Sequence, residues 1–216
     1  MSEDNNELKK LTIFTLGDCA VGKSSFITKY VNNIFNDHYL TTIGIDKITK
    51  NYRLPNEKEI KLFFYDTAGQ EQYRSISFNL VKNADGILLM YDISDRLTFD
   101  DINHWKESIK DIKGDNFPII LLGNKCDLDE EKRKVTKEEG EKLAYDNGFP
   151  FLETSCKEGT NIKESVEILI SKIIEKRQLE EKENKQNEKE NNKNEKERNT
   201  FGLEKTQKKK KKKKCC

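Results

Sequence analysis

Short apolar runs alternate with segments of helical spacing along the first 177 residues. Strands buried on both faces of a sheet are predicted from continuous apolar stretches, at 11–16, 86–93, 117–122 and 150–154. Helices are predicted between and after these strands, at 24–31, 99–112, 136–147 and 161–177. This alternation is typical of a parallel sheet with helices on both of its faces.

A hairpin interrupts the alternation. Residues 45–54 and 59–65 alternate apolar and polar positions around the turn sequence Leu-Pro-Asn-Glu-Lys, which predicts two antiparallel strands. The predicted fold class is therefore α/β, a doubly wound, six-stranded, mostly parallel sheet with one antiparallel strand and about five flanking helices. Ligands of such folds bind beyond the carboxyl ends of the strands, where several loops converge.

Composition adds a charged extension to this domain. Residues 175–216 hold 16 Lys and Arg against 9 Asp and Glu, a net +7 that leaves −6 on the rest of the chain. We expect a flexible N-terminus at 1–8, one domain at 9–178, a disordered linker at 179–207 and a basic tail at 208–216. The polar start, MSEDNNELKK, and the lack of any run of 18 apolar residues predict a cytosolic chain.

Cysteine and histidine spacing does not predict a metal centre. Cys19, Cys126 and Cys156 lack the paired spacing of a zinc site or a redox dithiol. His38 and His104 are interpreted as surface residues, because neither belongs to a recurring carboxylate pattern.

A glycine loop follows the first predicted strand and precedes the first predicted helix. It spells GxxxxGK[ST], the pattern whose backbone N–H groups surround a phosphate at a helix N-terminus. Lys23 is expected to reach the outer phosphates and Ser24 to bind Mg²⁺. The loop alone does not distinguish ATP from GTP. Its predicted nucleotide-binding residues are Gly17, Asp18, Cys19, Ala20, Val21, Gly22, Lys23, Ser24 and Ser25.

The sequence NKCD at 124–127 favours guanine. The Asp127 carboxylate can accept hydrogen bonds from both N1–H and the exocyclic amine of guanine, whereas adenine presents the wrong edge. Such pairing discriminates between bases by roughly 1–3 kcal/mol. Asn124 and Lys125 are predicted to belong to the same nucleotide site.

Together with DTAGQE at 66–71, these motifs make residues 9–177 similar to the Ras superfamily of small GTPases, and most similar to the Rab family. The resemblance implies a small G domain that uses Mg²⁺ and cycles between GTP and GDP. Gln70 would orient the attacking water, and Ser24, Thr42 and Asp66 would hold the metal. The resemblance adds further nucleotide contacts, at Phe35, Tyr39, Gly69, Ser155, Cys156 and Lys157.

The same comparison of motifs reveals departures from the family pattern. Lys47, Tyr65 and Leu80 stand where Rab proteins carry aromatic residues that face effectors, so we expect unusual effectors. Cys19 and Ala20 stand where Ras carries two glycines.

The basic tail ends in Cys215 and Cys216, which resembles the double geranylgeranylation signal of Rab proteins. The seven lysines before them are expected to bind an anionic membrane, the alternative being a nuclear-localisation or nucleic-acid arm. The resemblance implies a monomer that binds no nucleic acid and lies on the cytoplasmic face of an endomembrane or the plasma membrane, with a soluble cytosolic pool. It also implies several partners: an exchange factor, a GTPase-activating protein, the Rab escort protein with geranylgeranyl transferase, a GDP-dissociation inhibitor and trafficking effectors.

Two classes of function remain open from the sequence. One is a hydrolysing, membrane-recycling GTPase switch that regulates vesicle trafficking, favoured by Gln70, Thr42 and Asp66. The other is a GTP-binding scaffold that hardly hydrolyses its nucleotide. An ATP-dependent P-loop kinase is disfavoured by NKCD and by the absence of a second substrate domain.

Overall fold

A computed structural model of the 216-residue chain describes residues 10–36, 45–67 and 81–185. The chain divides into two units, Met1–Ile173 and Ile174–Cys216. Within the described residues, no helix has the length and apolar character needed to cross a membrane.

The first unit contains the six-stranded sheet that the apolar pattern predicts. The strands are β1 (Lys10–Leu16), β2 (Ile45–Arg53), β3 (Glu59–Thr67), β4 (Gly86–Asp92), β5 (Ile119–Asn124) and β6 (Phe151–Thr154). Their order across the sheet is β2-β3-β1-β4-β5-β6. Only the β2–β3 pair is antiparallel, so the predicted fold class is confirmed.

Helices connect these strands. They are α1 (Lys23–Asn32), α2 (Arg96–Asp100), α3 (Ile102–Lys113), α4 (Lys137–Asn147) and α5, which begins at 162. The Thr136 side chain caps α4 by accepting a hydrogen bond from the Glu139 backbone N–H, and Glu139 caps Thr136 in return.

Two helix boundaries differ from the sequence prediction. The helix predicted at 99–112 is two consecutive helices that start earlier, because the Asp95 carboxylate accepts a hydrogen bond from the Leu97 N–H and begins α2 at Arg96. The predicted end of the last helix at 177 is also wrong. In the second unit, residues 174–185 are helical, and Lys176 Nζ lies 3.7 Å from the Glu180 carboxylate one turn later. The first seven residues of the predicted linker are therefore helical, and its remainder lies outside the described residues.

The core on one side of the sheet is built from large side chains. Trp105 of α3, Tyr91 of β4 and Phe14 of β1 are buried together with aliphatic residues of β4 and β5. Burial of this apolar surface fixes α3 against the sheet and so positions the loops at the carboxyl ends of the strands. His104, on the outer side of α3, is exposed as predicted, whereas His38 lies outside the described residues.

Candidate nucleotide-binding site

The glycine loop between β1 and α1 has a backbone that only glycine fits at two positions. Gly17 and Gly22 have φ angles of 135° and 102°, which side-chain-bearing residues rarely adopt. A Cβ on Gly17 would lie 2.1 Å from the Met90 carbonyl oxygen, and one on Gly22 would lie 2.3 Å from Asn124 Nδ2. The loop therefore packs directly against β4 and against the last residue of β5.

Lys23 lies inside this loop rather than in solvent. Its side chain is buried, with 5% of the residue exposed, and Nζ donates hydrogen bonds to the carbonyl oxygens of Gly17 at 2.9 Å and Asp18 at 2.5 Å. The ammonium group is thus held at the N-terminus of α1, where the helix dipole and backbone N–H groups also favour an anion.

Trp105 fixes the first part of the loop from α3. Its indole Nε1–H donates a 2.9 Å hydrogen bond to Asp18 Oδ1. Sequence reasoning placed Asp18 in the site but missed Trp105, which is 87 positions away and has no motif of its own. The only available signal was that a buried tryptophan usually finds a partner for its N–H.

Asn124, the last residue of β5, joins three loops. Its Nδ2 donates to the Val21 carbonyl at 2.8 Å, while its Oδ1 accepts hydrogen bonds from Thr154 Oγ1 at 3.2 Å and from Cys156 Sγ at 3.4 Å. One buried side chain therefore joins the glycine loop, the NKCD loop and the loop after β6.

Asp127 is oriented by the loop after β6. Ser155 Oγ donates a 2.6 Å hydrogen bond to Asp127 Oδ1, and the same hydroxyl accepts a 3.0 Å hydrogen bond from the Glu158 backbone N–H. Ser155 is buried and Asp127 half-buried. This chain of bonds restricts the carboxylate that the sequence assigns to the guanine edge.

Lys125 is held by a residue that sequence reasoning missed. Its Nζ lies 2.5 Å from Asp92 Oδ2 at the end of β4, and the other Asp92 oxygen accepts hydrogen bonds from Ser94 N–H and Oγ–H. Lys125 has a φ of 72°, a left-handed conformation unusual for lysine. The ion pair with Asp92 therefore fixes the Lys125 side chain at a position where the backbone makes a turn.

The two cysteines near the base loops are protected from ionisation. Burial raises the pKa of Cys156 to about 12, and burial, with Glu153 and Asp127 nearby, raises the pKa of Cys126. Cys19 is exposed in the glycine loop. Cys156 therefore acts in this site as a neutral S–H donor.

The remaining predicted residues are described by their place and burial. Ser24 and Ser25 are half-buried in the first turn of α1, Asp66 is buried at the end of β3, Phe35 is half-buried after α1, and Lys157 and Ala20 are exposed. Several predicted site residues lie outside the described part of the chain, namely Tyr39, Thr42, Gly69, Gln70, Cys215 and Cys216.

Known proteins are similar to this chain over most of its length. The Ras family model matches residues 12–175. The rat protein named GTP-binding protein Rab-3D is 42% identical over 174 residues, which cover 80% of this chain and 78% of that protein. The human Ras-related protein Rab-3A is 41% identical over 176 residues, or 81% of this chain and 79% of that protein. The chain therefore belongs to the Ras family, and within it to the Rab-like small GTPases, which hydrolyse GTP to GDP and regulate vesicle trafficking.

Proposed function

We propose that this protein is a membrane-anchored switch whose GTP-bound form recruits trafficking effectors and whose GDP-bound form releases them. The observation that carries the proposal is the position of Asn124, whose side chain bonds both to Val21 in the glycine loop and to Cys156 in the loop after β6. A guanine nucleotide that spans these loops would have its base and its phosphates held by one connected set of side chains.

Base recognition is assigned to Asp127, with Lys125 beside it. Guanine offers two donors, N1–H and the 2-amino group, to a carboxylate that Ser155 already holds in position. Replacing guanine by adenine would leave that carboxylate without donors, a loss of roughly 1–3 kcal/mol. Ser155, Cys156 and Lys157 would contribute the loop that closes over the base.

The residues near the phosphate loop fit Mg²⁺, which prefers oxygen ligands and keeps several waters. Ser24 offers a hydroxyl at the start of α1, and Asp66, 4% exposed, offers a carboxylate at the end of β3. Ser24 follows the carboxyl end of β1, and Asp66 lies at the carboxyl end of β3. Because β1 and β3 are parallel neighbours, both residues belong to the same edge of the sheet. We assign Ser24 and Thr42 as ligands, and Asp66 as a ligand acting through water. When bound, Mg²⁺ neutralises charge on the β- and γ-phosphate oxygens.

Hydrolysis is assigned mainly to Gln70 and Gly69, which lie outside the described residues. Gln70 would orient the water that attacks the γ-phosphate, and the Gly69 N–H would sense that phosphate. Lys23 would stabilise the charge on the transferring group. Positioning alone gives slow turnover, on the order of 10⁻⁴ to 10⁻² s⁻¹, so a GTPase-activating protein would supply an arginine finger.

Membrane attachment is assigned to the tail. Two prenyl chains on Cys215 and Cys216 would give stable anchoring, and each tail lysine near an anionic leaflet would add up to about 1 kcal/mol. An escort protein and geranylgeranyl transferase would add the lipids, and a GDP-dissociation inhibitor would carry the lipidated GDP form through the cytosol.

Single-turnover hydrolysis of GTP and of ATP by the full chain with Mg²⁺ tests the proposal. We expect slow turnover of GTP alone, its loss in Gln70→Leu, and a preference for GDP in Ser24→Asn. Tight GTP binding without turnover would favour the scaffold instead. Unchanged GTP-to-GDP ratios in both variants would contradict the assigned roles.

A further inference from the structure

One face of the β1, β2 and β3 strands combines lysine side chains with aromatic rings. The antiparallel register sets Lys47 opposite Tyr65, and the parallel register sets Lys10 beside Lys61. Because alternate residues of a strand point to the same side, these residues and Phe63 share one face of the sheet. We call the surface made by Lys10, Lys47, Lys61, Phe63 and Tyr65 the lysine face.

The Tyr65 ring of the lysine face is fixed by its neighbour on β1. Tyr65 stacks on the buried Phe14 ring, with centroids 4.7 Å apart and planes 4° from parallel. Tyr65 and Phe63 nevertheless stay half-buried, so part of each ring remains accessible. The face therefore offers rigid apolar surface.

The ammonium groups are held over these rings. Lys47 Nζ lies 4.2 Å from the Phe63 centroid and 5.7 Å from the Tyr65 centroid, and Lys61 Nζ lies 5.7 Å from the Phe63 centroid. Such cation–π contacts contribute about 0.5–1 kcal/mol at exposed sites. They restrict the two lysines, so less side-chain entropy is lost when a partner binds.

The charge of the lysine face is not balanced within the described residues. At the far end of the same hairpin, Arg53 pairs with the carboxylates of Glu57 at 3.2 Å and Glu59 at 3.4 Å. Across residues 10–36, 45–67 and 81–185, by contrast, no carboxylate lies at ion-pair distance from Lys47 or Lys61. Among the described residues, the hairpin thus carries paired charge at one end and positive charge without a carboxylate partner at the other.

We propose that the lysine face binds an acidic segment of a partner protein. Its carboxylates would bind the ammonium groups of Lys47 and Lys61, and its apolar side chains would cover the exposed parts of Phe63 and Tyr65. The inference rests on the proposed function, because the partner is the effector that the GTP-bound form recruits. Charge complementarity of this kind sets partner choice and association rate, and it weakens as salt is added.

Selection of random short peptides on the full chain tests this inference. The protein is loaded with a non-hydrolysable GTP analogue, and enriched peptides are synthesised and titrated against wild type, Lys47→Glu and Lys61→Glu. We expect enrichment in Asp and Glu, and binding weakened roughly tenfold in each variant and by added salt. Lys142→Glu, on the exposed side of α4, changes the net charge equally and should bind like wild type.

Two results would overturn the inference: peptides without an excess of acidic residues, or acidic peptides that bind Lys47→Glu and Lys61→Glu as tightly as wild type. GDP release from the variants should equal that of wild type, which checks that they fold. The same selection on the GDP form separates the two proposals. Acidic peptides that bind both nucleotide forms equally would support the lysine face but contradict a GTP-dependent switch.

Discussion

The nucleotide edge of the sheet and the lysine face use polar groups in opposite ways. At the nucleotide edge, side chains bond to other loops of the same chain: Asn124 to Val21, Ser155 to Asp127, and Lys125 to Asp92. On the lysine face, the ammonium groups of Lys47 and Lys61 lie over aromatic rings and have no carboxylate partner among the described residues. Changes at the edge should therefore alter nucleotide binding and folding together, whereas changes on the face should alter partner binding alone.

Gly22→Ala should have the largest effect, because it breaks the nucleotide edge sterically. The new Cβ would lie 2.3 Å from Asn124 Nδ2, at a φ of 102° that alanine adopts only with strain. We expect a loss of about 2–4 kcal/mol in unfolding free energy and a GDP affinity at least about a hundredfold weaker. Chemical denaturation and nucleotide titration measure the two quantities.

Gly148→Ala provides the matched control for this change. Gly148 caps α4 with a φ of 69°, but a Cβ there would meet no atom within 4 Å. Gly148→Ala should lower the unfolding free energy by about 1 kcal/mol and leave GDP affinity unchanged. Equal affinities for GDP in the two variants would show that the clash with Asn124 is unimportant.

Asp92→Asn should weaken the edge electrostatically. The substitution keeps the side-chain size but removes the negative charge 2.5 Å from Lys125 Nζ. We expect GDP to dissociate roughly tenfold faster, since a partly buried ion pair of this kind contributes more than a surface pair. A fluorescent GDP analogue reports the rate.

The control for Asp92→Asn is Asp95→Asn, which changes charge equally at the N-terminus of α2. Asparagine also caps helices well, so stability and GDP release should stay close to wild type. The importance of Asp92 would be refuted by identical release rates for Asp92→Asn and Asp95→Asn.

Cys156→Ala should have a smaller effect on the same edge. It removes the S–H donor that lies 3.4 Å from Asn124 Oδ1 and leaves the backbone in place. Loss of one neutral hydrogen bond, about 0.5–1.5 kcal/mol, predicts GDP release faster by up to about tenfold. Cys126→Ala should leave release unchanged, because Cys126 bonds to the Thr154 carbonyl through its backbone N–H, which the substitution keeps. The same acceleration in both variants would argue for a packing effect instead.

Lys47→Ala should have the smallest effect on the folded protein. Its cation–π contacts are exposed, so the unfolding free energy should fall by less than about 1 kcal/mol, with no change in GDP release. Binding of the acidic peptides should be the property that changes. A large loss of stability would mean that Lys47 supports the fold rather than a partner.

The site residues that could be predicted from the sequence are those that belong to short motifs along the chain. Lys23, Asn124 and Asp127 lie in short motifs at the ends of predicted strands, and the sheet brings those ends together. Trp105 and Asp92 could not be predicted. Their partners, Asp18 and Lys125, become neighbours only through the packing of α3 and the register of β4 with β5.

The ends of helices could also be predicted only where the residues that fix them are close in sequence. The start of the helix predicted at 136–147 agrees with the structure to within one residue, and the capping pair that fixes it, Thr136 and Glu139, is only three residues apart. The earlier start of α2 depends on one hydrogen bond of the Asp95 side chain. The helix continues beyond 177 with one ion pair, Lys176 with Glu180, where the apolar spacing has ended. Periodicity of apolar residues therefore locates a helix better than it locates its ends.

Asp127, held by Ser155, is the residue proposed to select guanine. Asp127→Asn replaces one acceptor by a donor, which fits xanthine, whose 2-position carries a carbonyl instead of an amine. Equilibrium binding of GDP and of xanthosine diphosphate to wild type and Asp127→Asn tests this directly. We predict that wild type prefers GDP and that the variant prefers xanthosine diphosphate, with each preference roughly tenfold or more. A variant that still prefers GDP would contradict the account.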